Sequence, residues 1–164
     1  MHASFWGGGR HKVDAKGRVS IPAEFRPVLR DGDPDCGPDQ NPRMVLNFGP
    51  HLVGFLECYT MEAAQDVNRR IQRLPRGSRA RQKLQYAFNT NSRVFVVDDT
   101  GRIVLSQELQ RKIGLREHAL FVSNGDTFRI WDADAYEANF AAPFDAELAE
   151  EGEDVLALLP GDDE

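Results

Sequence analysis

The sequence predicts a mainly β fold with short helices, an α+β class. Two copies of one small unit are expected to fold against each other as a pseudo-two-fold β-barrel. Three observations predict it. "VDAKGRVSIP" at residues 13–22 returns as "VDDTGRIVLS" at 97–106, with Val, Asp, Gly and Arg identical and Val19/Ile103 and Ile21/Leu105 alike. The match continues at an offset of 84, pairing Glu24 with Glu108, Phe25 with Leu109 and Leu29 with Ile113. Each copy also holds only a few short strands and about one helix. That is too little apolar surface to be stable alone, so the copies must share a core.

The first copy spans residues 8–61. In "HKVDAKGRVSI" apolar residues alternate on either side of a Lys-Gly turn, which reads as a hairpin or a tight strand connection. Pro22 sits where a helix opens, because its missing N–H costs nothing in the first turn. Residues 30–41, "RDGDPDCGPDQN", form a Gly-, Pro- and Asp-rich loop. This loop supplies the surplus length of the first copy, since "LECYTMEA" (56–63) resembles "FRIWDADA" (128–135) at an offset of only 72. An arginine-rich helical insert fills 62–90. Its helices are expected at 61–74 and 79–88, with Thr60 and Ser78 as caps and "PRG" at 75–77 breaking the pair. The second copy, 91–136, repeats the turn in "RVFVVDDTGRIVL". Ser106 then caps "SQELQRKIG" and Gly114 stops it. Residues 143–164 are read as an acidic tail, mobile or weakly helical.

Composition narrows the function. A hydrophobic fraction of 41% and a charged fraction of 28% are ordinary for a globular protein. No apolar run approaches the roughly 18 residues that span a bilayer, and the N-terminus lacks the apolar core of a secretory signal. Cys36 and Cys58 offer neither a zinc-ligand pattern nor a disulfide framework, so a reducing cytoplasm is the default. The four histidines, 2, 11, 51 and 118, lack metal-ligand spacing. No nucleophile elbow, Walker loop or dinucleotide fingerprint is present, and "GGGRHK" neither follows a strand nor opens a helix. Asp98 and Asp99 are adjacent on a strand and point to opposite faces. Neither an enzyme nor a cofactor, metal or small-molecule substrate is expected.

The net charge of −6 is unevenly spread. Residues 1–93 hold 15 Lys/Arg against 9 Asp/Glu, whereas residues 94–164 hold 5 against 17. Residues 145–164 alone carry nine carboxylates and no basic residue. Such asymmetry points to a nucleic-acid surface joined to an acidic tail.

The repeated Asp-x-x-Gly-Arg has a structural role first. Gly17 and Gly101 permit a positive φ, while Asp14 and Asp98 bond local backbone or pair with the arginine across the turn. Arg18 and Arg102 can serve that pair or face outward to phosphate. The copies differ in charge. Arg10, His11, Lys12, Lys16 and Arg18 surround the first turn, whereas the second has Thr100 in place of Lys16 and two aspartates. Only the first therefore suits phosphate contact, with a solvated turn as the competing reading. A second basic run comprises Arg69, Arg70, Arg73, Arg76, Arg79, Arg81 and Lys83, with no acid between Asp66 and Asp98. It points to a polyanion or an acidic protein surface, for which the chain's own tail is one candidate.

Together "VDAKGRVSIPAEFRPVL", "VVDDTGRIVLSQELQRKIGL" and "FRIWDADAYEANF" resemble the MraZ family of bacterial proteins, within the AbrB-like swapped-hairpin superfamily. The resemblance covers about residues 5–140. It implies a swapped-hairpin, double-psi-like barrel built from two half-barrel repeats, with protomers closing into a ring-shaped homo-oligomer. It further implies a cytoplasmic, nucleoid-associated regulator of transcription. Such a regulator binds short direct repeats in double-stranded promoter DNA of the division and cell-wall cluster it heads. The contacts carried over are Lys16 and Arg18, supported by Arg10 and Lys12. Asp14, Gly17, Asp98, Gly101 and Arg102 remain turn residues. An AbrB-like antitoxin and a protein-interaction barrel are the competing readings.

Overall fold

The computed structural model describes residues 3–162; of the acidic tail, residues 163 and 164 lie outside the described residues. Eight strands are present: β1 Gly8–Lys12, β2 Arg18–Ser20, β3 Arg43–Asn47, β4 Phe55–Thr60, β5 Ser92–Val96, β6 Arg102–Val104, β7 His118–Asn124 and β8 Thr127–Asp132. Between them run α1 Arg26–Asp31, α2 Met61–Gln72, α3 Arg79–Leu84 and α4 Gln107–Lys112. Thr60 and Ser106 cap α2 and α4 as their hydroxyls predict, accepting from the N–H of Ala63 and Leu109.

Six strands form one antiparallel sheet in the order β1-β7-β8-β4-β3-β5, and β2 pairs with β6 in a separate two-stranded ladder. Exchanging the copies, β1 with β5, β3 with β7 and β4 with β8, reproduces this order read backwards. The sheet is open, which corrects the closed barrel expected from the sequence. A sheet closes only when its two edges find partners. Here β1 and β5 lie at opposite edges, and the short strands that follow each of them are occupied by one another. The Asp-x-x-Gly-Arg segment is accordingly a tight strand connection and not a hairpin. β1 pairs with β7 of the second copy, and β5 with β3 of the first.

Alternation along the strands divides the sheet into two faces. On one face Met44, Leu46, Leu56, Cys58, Phe121 and Phe128 are buried. The β2–β6 ladder and the short helices cover them with Val19, Ile21, Phe25 and their counterparts Ile103, Leu105 and Leu109. At its centre the rings of Phe25 and Phe128 lie 4.8 Å apart, each packed edge-on against Phe5. One Phe comes from each copy, so neither copy has a core of its own. On the opposite face α2 seals Val45 with Met61, Ala64 and Ile71, joined by Phe88.

From residue 134 to 162 the described chain forms a separate compact unit. A four-residue helix, α5 Ala133–Tyr136, leads through a wide turn, Glu137–Ala141, into α6 Ala142–Glu151 and a final tight turn, Gly152–Leu158. Among the described residues no helix is long and apolar enough to cross a membrane.

Candidate nucleic-acid interface

The first turn is built by one carboxylate. Asp14 Oδ1 accepts from the backbone N–H of Lys16 and of Arg18, both at 2.9 Å, and Oδ2 accepts from Arg18 Nε at 2.7 Å. Gly17 N–H closes the loop onto the Asp14 carbonyl at 2.9 Å. Gly17 holds φ +82° with the Leu105 carbonyl packed against it, so no side chain fits there. The second turn repeats the scheme. Asp98 Oδ1 accepts from the N–H of Thr100 and Arg102, and Gly101 has φ +80°. The turns also lock each other: Leu105 N–H donates to the Gly17 carbonyl, and Ile21 N–H to the Gly101 carbonyl, both at 2.8 Å.

Both aspartates titrate below the usual carboxylate range. For Asp14 the cause is first the N–H of Arg18 and then its guanidinium; for Asp98 it is the N–H of Arg102, then the Thr100 side chain. The copies diverge at the arginine. Arg18 binds its aspartate directly, whereas Arg102 Nε donates to Thr100 Oγ1 at 2.8 Å and stands 3.8 Å from Asp98 Oδ2. Arg18 remains 39% exposed, so one edge of its guanidinium is fixed and the rest faces solvent. Lys16 is exposed in the same turn.

β1 supplies the other cations. Alternation puts Arg10 and Lys12 on one face of this edge strand, both exposed, and turns His11 to the other, where its ring meets Phe121 at 5.6 Å. Lys12 makes only a loose, exposed pair with Glu117 at 3.7 Å. An offset of 84 places Val94 and Val96 on β5 where Arg10 and Lys12 stand on β1, and each valine is 56% exposed. The same edge is therefore basic in one copy and apolar in the other.

Two structural residues escape a motif search. Arg26 Nε donates to the Ile21 carbonyl at 3.2 Å while covering Gly101, and Gln110 Nε2 donates to the Leu105 carbonyl at 2.8 Å while covering Gly17. The repeat offset pairs them, but their side-chain chemistry differs and hides the match. In the 30–41 loop Asp33 is buried against Arg43, which donates through Nη2 at 2.8 Å and Nε at 3.0 Å. The loop is thereby pinned to β3.

Among the described residues no group of three His, Cys, Asp or Glu could hold a metal ion. Burial pushes the Cys58 thiol well up, and burial followed by Glu57 pushes Tyr59 to about 12, so neither is an ionised nucleophile at neutral pH.

A family model described as "MraZ protein, putative antitoxin-like" matches residues 91–156. A protein of Ruegeria sp. (strain TM1040) named transcriptional regulator MraZ is 46% identical over 162 residues, covering 99% of this chain and 92% of that protein. Its namesake from Ruegeria pomeroyi is 47% identical over 154 residues, covering 94% and 92%. The protein of the same name from Cereibacter sphaeroides is 36% identical over 166 residues, covering 97% of each.

Proposed function

The chain belongs to the MraZ family of transcriptional regulators, and from that premise we propose that it binds specific promoter DNA through the first repeat turn. Lys16 and Arg18 meet the DNA, with Arg10 and Lys12 gripping the adjoining backbone. The sites are short direct repeats ahead of its own division and cell-wall gene cluster, and the protein acts in the cytoplasm at the nucleoid. The observation that carries this reading is the contrast between copies. Two turns of matching backbone geometry differ in that one carries Lys12, Lys16 and a half-exposed Arg18 where the other carries Val96, Thr100 and Arg102. A turn needed only for folding has no use for that excess of cations.

One such turn neutralises about three phosphates, which by itself gives weak, salt-sensitive binding. Several copies around a closed ring can engage several direct repeats at once, and effective concentration then raises avidity about 10²–10⁴-fold. Phosphate contacts set register, and arginine in a fixed orientation can add base readout. Here the Asp14–Arg18 pair supplies the orientation.

The test is fluorescence anisotropy with DNA from upstream of the chain's own gene, against scrambled DNA, at several salt concentrations. Tighter binding to the upstream DNA with a steep loss in salt is expected, abolished in Lys16→Glu and Arg18→Glu. Unimpaired specific binding by both variants would overturn the site.

A further inference from the structure

The second basic run serves the fold in part. Arg81 Nη1 donates to the carbonyls of Leu74 at 2.9 Å and Gln72 at 3.3 Å, capping the end of α2, and Arg69 pairs with Asp66 at 3.3 Å. A different cation, outside every motif, stands at the first turn itself. β1 and β7 pair antiparallel with Lys12 opposite His118. The pairing runs one step further, since Val13 N–H donates to the Glu117 carbonyl at 3.0 Å. The next step of the same register sets Arg116 level with Asp14, where the turn begins. The fold thus brings residues 116–118 of the second copy alongside the first turn.

Arg116 is anchored by its backbone and leaves its side chain largely unused. Its N–H donates to Asp132 Oδ1 at 3.0 Å, which ties the segment to the end of β8. Its guanidinium makes one ion pair, Nη2 to Asp132 Oδ2 at 3.7 Å, and the side chain is 72% exposed. His118 lies on the same face as Lys12, because directly opposed residues of an antiparallel pair point the same way. Its ring has no hydrogen bond, ion pair or ring contact among the described residues. Glu117 is the acid of the group, loosely paired with Lys12 at 3.7 Å. The equivalent place beside the second turn is filled otherwise. There Val96 opposes Arg43 and Val97 N–H donates to the Pro42 carbonyl at 3.0 Å, so Asn41 stands level with Asp98. Asn41 Nδ2 donates to Asp99 Oδ1 at 2.9 Å, and Arg43 is tied to the buried Asp33. One turn is flanked by an amide and a neutralised arginine, the other by an exposed arginine and an uncommitted imidazole.

We propose that Arg116 binds a backbone phosphate of the DNA held by the first turn, and that His118 donates a ring N–H to the same strand. This rests on the first turn being the DNA contact, and it adds the second copy to that contact: both repeats build the surface that grips the duplex. A guanidinium with one long, mostly hydrated tie turns to a phosphate with little to break, and it presents several donors to the phosphate oxygens. An imidazole offers at least one N–H in any protonation state. Glu117 repels any anion drawn to this place, so it holds back binding to DNA of arbitrary sequence.

Fluorescence anisotropy on the full chain, with upstream and with scrambled DNA, reads the contact. Phosphates carry no sequence, so Arg116→Ala is expected to weaken binding to both DNAs about five- to tenfold. It should also make the slope of log affinity against log salt shallower by about 1. Arg116→Lys is expected to keep the slope, Glu117→Gln to tighten binding to both DNAs, and His118→Ala to weaken it severalfold. Circular dichroism checks the fold of each variant. For position, an iron chelate is attached through Arg116→Cys, and in a second preparation through Lys16→Cys, each in a chain with Cys36→Ser that leaves only the buried Cys58. Both chelates are expected to cleave the upstream DNA at adjoining nucleotides. A wild-type slope in Arg116→Ala while Lys16→Glu still loses the DNA would overturn the inference and leave the first-turn site standing. Cleavage from position 116 remote from that of position 16 would overturn it as well. Wild-type binding by Lys16→Glu and Arg18→Glu would instead bring down the first-turn site, and the role of Arg116 beside it.

Discussion

Asp14 holds Lys16 and Arg18 with two oxygens, because a short carboxylate in a turn can reach both the backbone N–H groups ahead of it and the side chain that follows. Its lowered titration has a sign that can be tested. Asp14, Asp98 and Asp33 all titrate below 3.8 when folded, Asp33 chiefly through the Arg43 guanidinium. Each therefore contributes stability that is complete above about pH 4 and lost as pH falls through the folded value. A Tm flat from neutral pH to about 4 and falling below it is expected, with a shallower fall in Asp33→Asn. Gly17 makes the second residue-scale case. Gly17→Ala pays for positive φ and for the Leu105 carbonyl, whereas Gly125→Ala meets open space at φ +73°. Thermal denaturation should show about 1 kcal/mol lost for Gly125→Ala and clearly more for Gly17→Ala.

The elements show how far local signals reach. Thr60, Ser78 and Ser106 announce three helix starts, and each hydroxyl accepts from the N–H three residues on. Thr60→Ala is expected to cost about 1 kcal/mol, lowering Tm by about 2–4 °C. The helix after α3 was legible only as a continuation to residue 88; it widens instead into the turn Gln85–Thr90. Asn47 holds that turn from β3, its Nδ2 donating to the carbonyls of Ala87 and Asn91, both at 2.8 Å. Nothing in "MVLNFG" announces this, because the partners lie about 40 residues away. Asn47→Ala should cost about 1–3 kcal/mol by removing the donor to the part-buried Ala87 carbonyl, whereas the Asn91 carbonyl keeps the Phe48 N–H, read by chemical denaturation. The same limit applies to residues 142–151. Their acidity suggested a weak tail, yet an aromatic ridge at helical spacing lies across the proposed boundary at 143.

At the scale of the whole molecule the copies are inseparable. Phe25, Phe121 and Phe128 pack into one cluster, and each edge strand pairs with the other copy. Residues up to 133 should therefore unfold in one step. Phe128→Ala is expected to lose about 3–5 kcal/mol and to raise amide exchange in both copies together, not in the second alone. Separate transitions for the two copies would contradict the shared core.

The sequence by itself determined the duplication, the turn chemistry, the helix caps and the charge contrast between copies. These depend on residues close in the chain, where spacing alone decides what can touch. Only the tertiary structure decided that strands exchange partners between copies, that the sheet stays open, and that Arg26 and Gln110 cover each other copy's glycine. Those outcomes depend on which edges meet after the chain has folded back over some 80 residues, and a local pattern compatible with a hairpin is equally compatible with the exchange.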